Sequence, residues 1–122
     1  MPDVERLRTL VDRLRELSGE NRVPWTETAD ERAFQAALKG GVVSISQEEG
    51  GYSYGEPTYR YVIRFFDPAG KLLDSATAED FPERYAFAGG KQPFEALSEL
   101  HDMARRKALK VDQALDALLE SL

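Results

Sequence analysis

The stretch Thr58-Tyr59-Arg60-Tyr61-Val62-Ile63-Arg64-Phe65-Phe66-Asp67-Pro68-Ala69-Gly70-Lys71 decides the fold. From Tyr59 onward it alternates: Tyr59, Tyr61, Ile63 and Phe65 fall on one side, and Arg60, Val62, Arg64 and Phe66 on the other. A period of two, built from β-branched and aromatic residues, is a strand pattern. Pro68 is preset for the second position of a type I turn, and Gly70 is free to be left-handed. A three-residue loop closed by a glycine bulge pairs Asp67 with Lys71. Carried on, that register opposes Phe65 to Leu73 and Arg64 to Asp74, an apolar pair inside and an ion pair outside. A slip of one residue would undo both pairings. An antiparallel hairpin is expected here.

Upstream, Asp30 to Leu38 reads two ways. Its acids and alanines suit a helix. Phe34, Ala36 and Leu38 alternate, however, and Lys39-Gly40-Gly41 leads into the β-branched run Val42-Val43-Ser44-Ile45-Ser46. The strand reading, with a glycine turn, is preferred. Gln47 to Pro57 carries Gly50, Gly51 and Gly55 and is expected to be a loop. Before these elements, Pro24 holds Asn21-Arg22-Val23-Pro24-Trp25 out of helix. Asp3 to Ser18 places Val4, Leu7, Leu10, Val11, Leu14 and Leu17 on one helical stripe, with Gly19 as the stop signal.

Downstream, Ala78 to Gln92 has no sustained period, and a loop of that length either packs on itself or serves a function. Pro93 opens a helix whose stripe is Phe94, Leu97, Leu100, Ala104 and Ala108. A break near Lys110-Val111 would let Asp112 cap a last helix carrying Leu115, Leu118, Leu119 and Leu122. One unbroken helix from Pro93 to Ser121 is the alternative.

These elements make one α+β domain over residues 1–122. It has an N-terminal helix, a three- to four-stranded antiparallel meander, and a C-terminal helical segment covering one face. No βαβ repeat points to a Rossmann-like sheet. The second sheet face carries Val62, Phe66 and Leu72, either under the other helix or exposed for a partner.

Composition narrows the chemistry. The 122 residues hold no cysteine, which excludes disulfides, thiolate metal sites and thiol nucleophiles. A single histidine, His101, excludes a multi-histidine metal site. Sixteen bases against 22 acids give −6, which disfavours nucleic acid and anionic membranes. No apolar run is long enough to span a bilayer and no signal region follows Met1, so a cytoplasmic location is expected. At this size the folded surface is expected to be about 6,600 Å², a third of the extended chain's.

Catalytic motifs fail one by one. Gly89-Gly90-Lys91-Gln92 lacks the first glycine and the Ser/Thr of a phosphate loop. His101 and Asp102 point about 100° apart on a helix, and Glu95 is off the usable spacings. Glu48-Glu49 and Glu79-Asp80 are adjacent acids without contrasting environments. Arg105-Arg106-Lys107-Lys110 reads first as favourable charge at a helix C-terminus, and second as a contact for an acidic partner or phosphate. Trp25, Tyr52, Tyr54, Phe81, Tyr85 and Phe87 fall in predicted connections, where aromatics either anchor partners or plug the core ends.

The sequence Pro24-Trp25-Thr26-Glu27-Thr28 followed by Phe34, with the C-terminal Leu100, Ala104-Arg105-Arg106, Ala108-Leu109, Val111-Asp112, Leu115-Asp116 and Leu118-Leu119, resembles a family of short bacterial α+β proteins with no assigned activity. The resemblance covers most of the chain and implies a small helix–sheet–helix domain in a bacterial cytoplasm. It supports the strand reading of Ala33–Leu38 and brings no catalytic residue. Where its members carry a glycine before Val-Asp, this chain has Lys110.

The expected function is a non-catalytic protein-binding module, an accessory or immunity-type factor without cofactor or metal. Its partner is an unknown protein or a second copy, and its candidate contacts are Val62, Phe66 and Leu72 with the six loop aromatics. The alternative is a small-molecule binder or enzyme with 78–92 as a lid, Arg60, Arg64 and Tyr85 being the first residues to test for anion contacts.

Overall fold

Period-two alternation runs further along the chain than expected. In the computed structural model, which describes residues 3–82 and 87–122, five strands form one antiparallel sheet. They are β1 (Trp25–Glu27), β2 (Ala33–Leu38), β3 (Gly41–Ser53), β4 (Glu56–Phe66) and β5 (Leu72–Thr77), each paired to the next in a meander. The strand beyond the expected four is β1, where the extended segment after Pro24 lays Trp25 against Ala36. The strand reading of 33–38 holds, with Phe34 opposite Ile45 and Ala36 opposite Val43.

The expected loop at 47–57 is instead the far half of a long β3–β4 hairpin. Its glycines do two separate jobs. The register shifts between Glu49 and Gly51, so the Gly-Gly pair sits at a bulge rather than ending the strand. Tyr54 (φ 53) and Gly55 (φ 77) form the two-residue turn, with positive φ at both positions as a type I′ geometry requires. Flanking strands pair with β3 only as far as Ser46 and with β4 only back to Val62. Beyond those residues β3 and β4 form a two-stranded ribbon.

The β4–β5 register also differs from expectation. Asp67 does meet Lys71, through a 2.9 Å N–H···O bond, and Phe66 faces Leu72. A bulge at Leu73 then advances β5 by one residue, placing Asp74 opposite Phe65 and Ser75 opposite Arg64. The Arg64–Asp74 pair therefore does not form. Arg64 turns to the other neighbouring strand and holds Glu48 at 2.8 Å.

Among the described residues three α-helices accompany the sheet: α1 (Val4–Gly19), α2 (Pro93–Ala108) and α3 (Val111–Glu120). The Asp3 side chain caps α1 by accepting from the Arg6 N–H. The stop signal is Asn21 rather than Gly19, which is still helical. Asn21 takes the left-handed conformation (φ 60), and the Arg22 N–H reaches back to the Leu17 carbonyl at 2.9 Å. Two helices follow Pro93, not one. Lys110 lies between them at φ 54, ψ 45, a left-handed conformation that favours glycine. Lys110→Gly is expected to stabilise the chain by about 0.5–1 kcal/mol, read as a higher urea midpoint at constant slope. A lower midpoint would contradict this break.

One core results. Trp25, Phe34, Ala36, Val43, Ile45, Ile63 and Ala76 project from one sheet face onto Ala96, Leu97, Leu100 and Ala104 of α2 and Leu7, Val11 and Leu14 of α1. No residue of α3 is buried. The folded surface is 8,202 Å², about a quarter above the expectation for this size, in keeping with a projecting ribbon and an unpacked helix.

Candidate functional site

Alternation that sends Ile45, Ile63 and Ala76 to the core sends their neighbours to the opposite face. That second face carries Val42, Ser44, Ser46 and Glu48 of β3, Arg60, Val62, Arg64 and Phe66 of β4, and Leu72, Ser75 and Thr77 of β5. Both core-forming helices lie on the first face, and no described helix covers the second.

The second face has two zones. In the polar zone the Arg64 guanidinium donates to Glu48 Oε2 at 2.8 Å and to Ser46 Oγ at 3.0 Å, while Ser46 Oγ donates to the same carboxylate oxygen at 2.7 Å. The bond from Arg64, then that from Ser46, holds the Glu48 carboxyl below its usual range against the opposing effect of burial. The stability Glu48 contributes is therefore present above the usual carboxylate range and is lost as pH falls below it.

The apolar zone lies at the other end of the face. Phe66 stands between Val42 and Leu72 across the strands. Leu72 is 50% exposed, and Phe66 and Val42 are half-buried. Val62 differs from the expectation of an accessible contact: it is 6% exposed, flanked across the strands by Ser46 and Thr77.

Three loop aromatics take the core role. Trp25 is buried and donates its Nε1–H to Ser18 Oγ at 2.9 Å. Phe81 and Phe87 are buried edge to face, with ring centroids 5.2 Å apart. A buried ring offers no surface to a partner. Tyr54 is fully exposed at the hairpin tip. Tyr52 pairs with Pro57 in the ribbon, and its side chain lies outside what the structure describes, as does the whole of Tyr85.

The 78–92 segment is tied down at both described ends. A 3₁₀ turn at Ala78–Asp80 is closed by Asp80 accepting from the Thr77 N–H, and Phe87 bridges to Lys91. Arg15 fastens the second end, donating to the Ala88 carbonyl (3.1 Å), Asp12 (3.2 Å) and Glu99 (3.3 Å). A shallow groove of about 480 Å³ lies beside Ala88 and Gly89. The charges lining it are already paired with one another, Arg15 with Asp12 and Glu99, and Arg13 with Glu16 at 3.2 Å.

His101 is 8% exposed, between the rings of Phe34 (5.4 Å) and Tyr61 (5.2 Å). Its Nε2–H donates to the Arg32 carbonyl at 2.9 Å, an acceptor that fixes the neutral tautomer. Burial lowers its pKa, with that hydrogen bond as the main opposing effect. A depressed folded-state pKa means stability is complete above the ordinary histidine range and falls as pH drops through it. Urea midpoints of His101→Gln are therefore expected to vary less between pH 7.5 and 5.5 than those of the parent; equal variation would contradict this environment.

Among the described residues no group of three or more His, Asp or Glu could hold a metal ion. Arg105 and Arg106 are paired with Asp102 (3.0 Å) and Asp112 (2.7 Å), whereas Lys107 and Lys110 have no ion-pair partner among the described residues. No protein-family model, curated protein or solved structure matches the chain. Sequence reasoning missed one surface. Leu115, Leu118 and Leu119 are 48%, 62% and 70% exposed on α3, and Leu122, two residues past its end, is fully exposed. Their spacing signalled an apolar helix face, and the expectation that it would pack on the sheet hid it.

Proposed function

We propose that the chain is a non-catalytic protein-binding module whose contact surface is the helix-free sheet face. The observation that carries the reading is the placement of both core helices on one side of a five-stranded sheet, leaving Phe66, Leu72 and Val42 together on the other. An apolar group beside a neutralised polar zone is the composition of an interface centre with its rim. The Arg64–Glu48 pair would sit at that rim and set orientation more than affinity. The small-molecule alternative gains less support, because the charges beside the 87–91 segment are spent on one another.

Site-specific photo-crosslinking in the producing cell tests the proposal, with the photoreactive residue placed at Phe66 or, as a control, at Arg13 on the solvent side of α1. A discrete adduct at position 66 that is absent at position 13 is expected, whether it contains a second copy or another protein. No discrete adduct at 66, or the same adducts at both positions, would overturn the sheet-face reading.

A further inference from the structure

We propose that α3 is a self-association helix that docks on a second copy of the chain, in the groove at that copy's α2–α3 junction. This surface is separate from the sheet face and leaves that face free.

The apolar stripe comes first. Leu115, Leu118 and Leu119 share one side of α3, Leu122 follows two residues past its end, and none is buried. They leave an apolar patch of roughly a few hundred Å² uncovered, the size that marks an interaction site. A standard interface takes about 800 Å² per partner, so these leucines supply a substantial part of what a dimer needs.

Charge selects the occupant. Asp112, Asp116 and Glu120 recur every four residues and form one acidic stripe, and α3 carries no base. Like charges at that spacing destabilise a lone helix, a cost removed when bases lie alongside. Two α3 helices paired antiparallel about their centres would set Asp116 against its own copy. The chain's one basic cluster stands immediately before α3 instead. A groove of about 470 Å³ there is lined by Met103, Arg106, Lys107 and Lys110, and by Asp112, which is already paired with Arg106 at 2.7 Å. Lys107 and Lys110 lack ion-pair partners among the described residues, and so do Asp116 and Glu120. Laying α3 of one copy along this groove of the other brings the unpaired acids to the unpaired lysines, with leucines toward Met103. The contact is reciprocal, as a two-fold dimer demands.

Molar mass by light scattering across a hundredfold range of concentration tests this, with far-UV circular dichroism confirming that each variant folds. The parent is expected to reach twice 13.7 kDa. Leu118→Glu should raise the dissociation constant by about tenfold or more. Lys107→Glu with Lys110→Glu should weaken the dimer, as should Asp116→Lys with Glu120→Lys, because each places like charges at both contacts. Mixing the two charge-reversed chains should restore association, since all contacts are then opposite in sign. A parent monomeric at every concentration overturns the proposal. So does a dimer indifferent to Leu118→Glu, or a mixture that does not associate. A dimer lost in Phe66→Asp but kept in Leu118→Glu overturns it while leaving the sheet-face reading standing.

Discussion

Phe34→Ala is expected to lower stability by about 3–5 kcal/mol, enough to unfold a large fraction of a domain of ordinary stability. Phe34 is 2% exposed in β2, with Ile45 across one strand boundary and Glu27 across the other. Its ring packs against that of His101, so it ties the sheet directly to α2. Removing it forfeits the transfer energy of a large side chain and leaves a cavity that a strand held on both edges cannot close. Urea unfolding followed by circular dichroism measures the loss. A cost under about 1 kcal/mol would mean that Phe34 is at the surface, and the helix reading of 30–38 would return.

Arg15→Ala is expected to cost about 2–3 kcal/mol, below the full value for breaking a buried ion pair because Asp12 and Glu99 retain some contact with water. The Arg15 side chain is 9% exposed and those of its two acids 18% and 36%. Its guanidinium joins α1, α2 and the Ala88 carbonyl at one point, while Asp12 accepts from the Ala88 N–H at 3.0 Å. Without it, Asp12 keeps only Arg8 at 3.6 Å and Glu99 only Lys91 at 3.9 Å, both looser and more exposed pairs. Arg15→Lys should recover only part of the loss, because an ammonium cannot fork to three acceptors in one plane. Hydrogen exchange gives an independent reading: the Ala88 amide should exchange faster in Arg15→Ala. Unchanged exchange at Ala88 would refute the clip.

Local pattern set most of the elements because the pattern there is the cause. Tyr61 to Phe66 alternates since one side must meet α2, and Phe34 and Ala36 alternate for the same reason. Bulges escaped this reading. An extra residue at Leu73, or a Gly50-Gly51 pair inside a strand, leaves local composition unchanged while moving every later cross-strand neighbour by one. That is why Arg64 found Glu48 rather than Asp74. The roles of Trp25, Phe81 and Phe87 depended on which distant elements close over them, information that no window of sequence contains. α3 shows the same limit from the opposite side. Its spacing declares an apolar face, but whether the sheet or another molecule covers that face is a property of the assembled chain.

Occupation of the sheet face in the cell would shield position 66 from solvent. The chain has no cysteine, so single thiols can be placed without background. The measurement is the rate of thiol labelling of Phe66→Cys and of Arg13→Cys, each in dilute purified protein and again in fresh extract of the producing cell. Labelling of Phe66→Cys is expected to slow several-fold in extract while that of Arg13→Cys does not change. Equal rates for Phe66→Cys in the two settings would overturn the sheet-face reading.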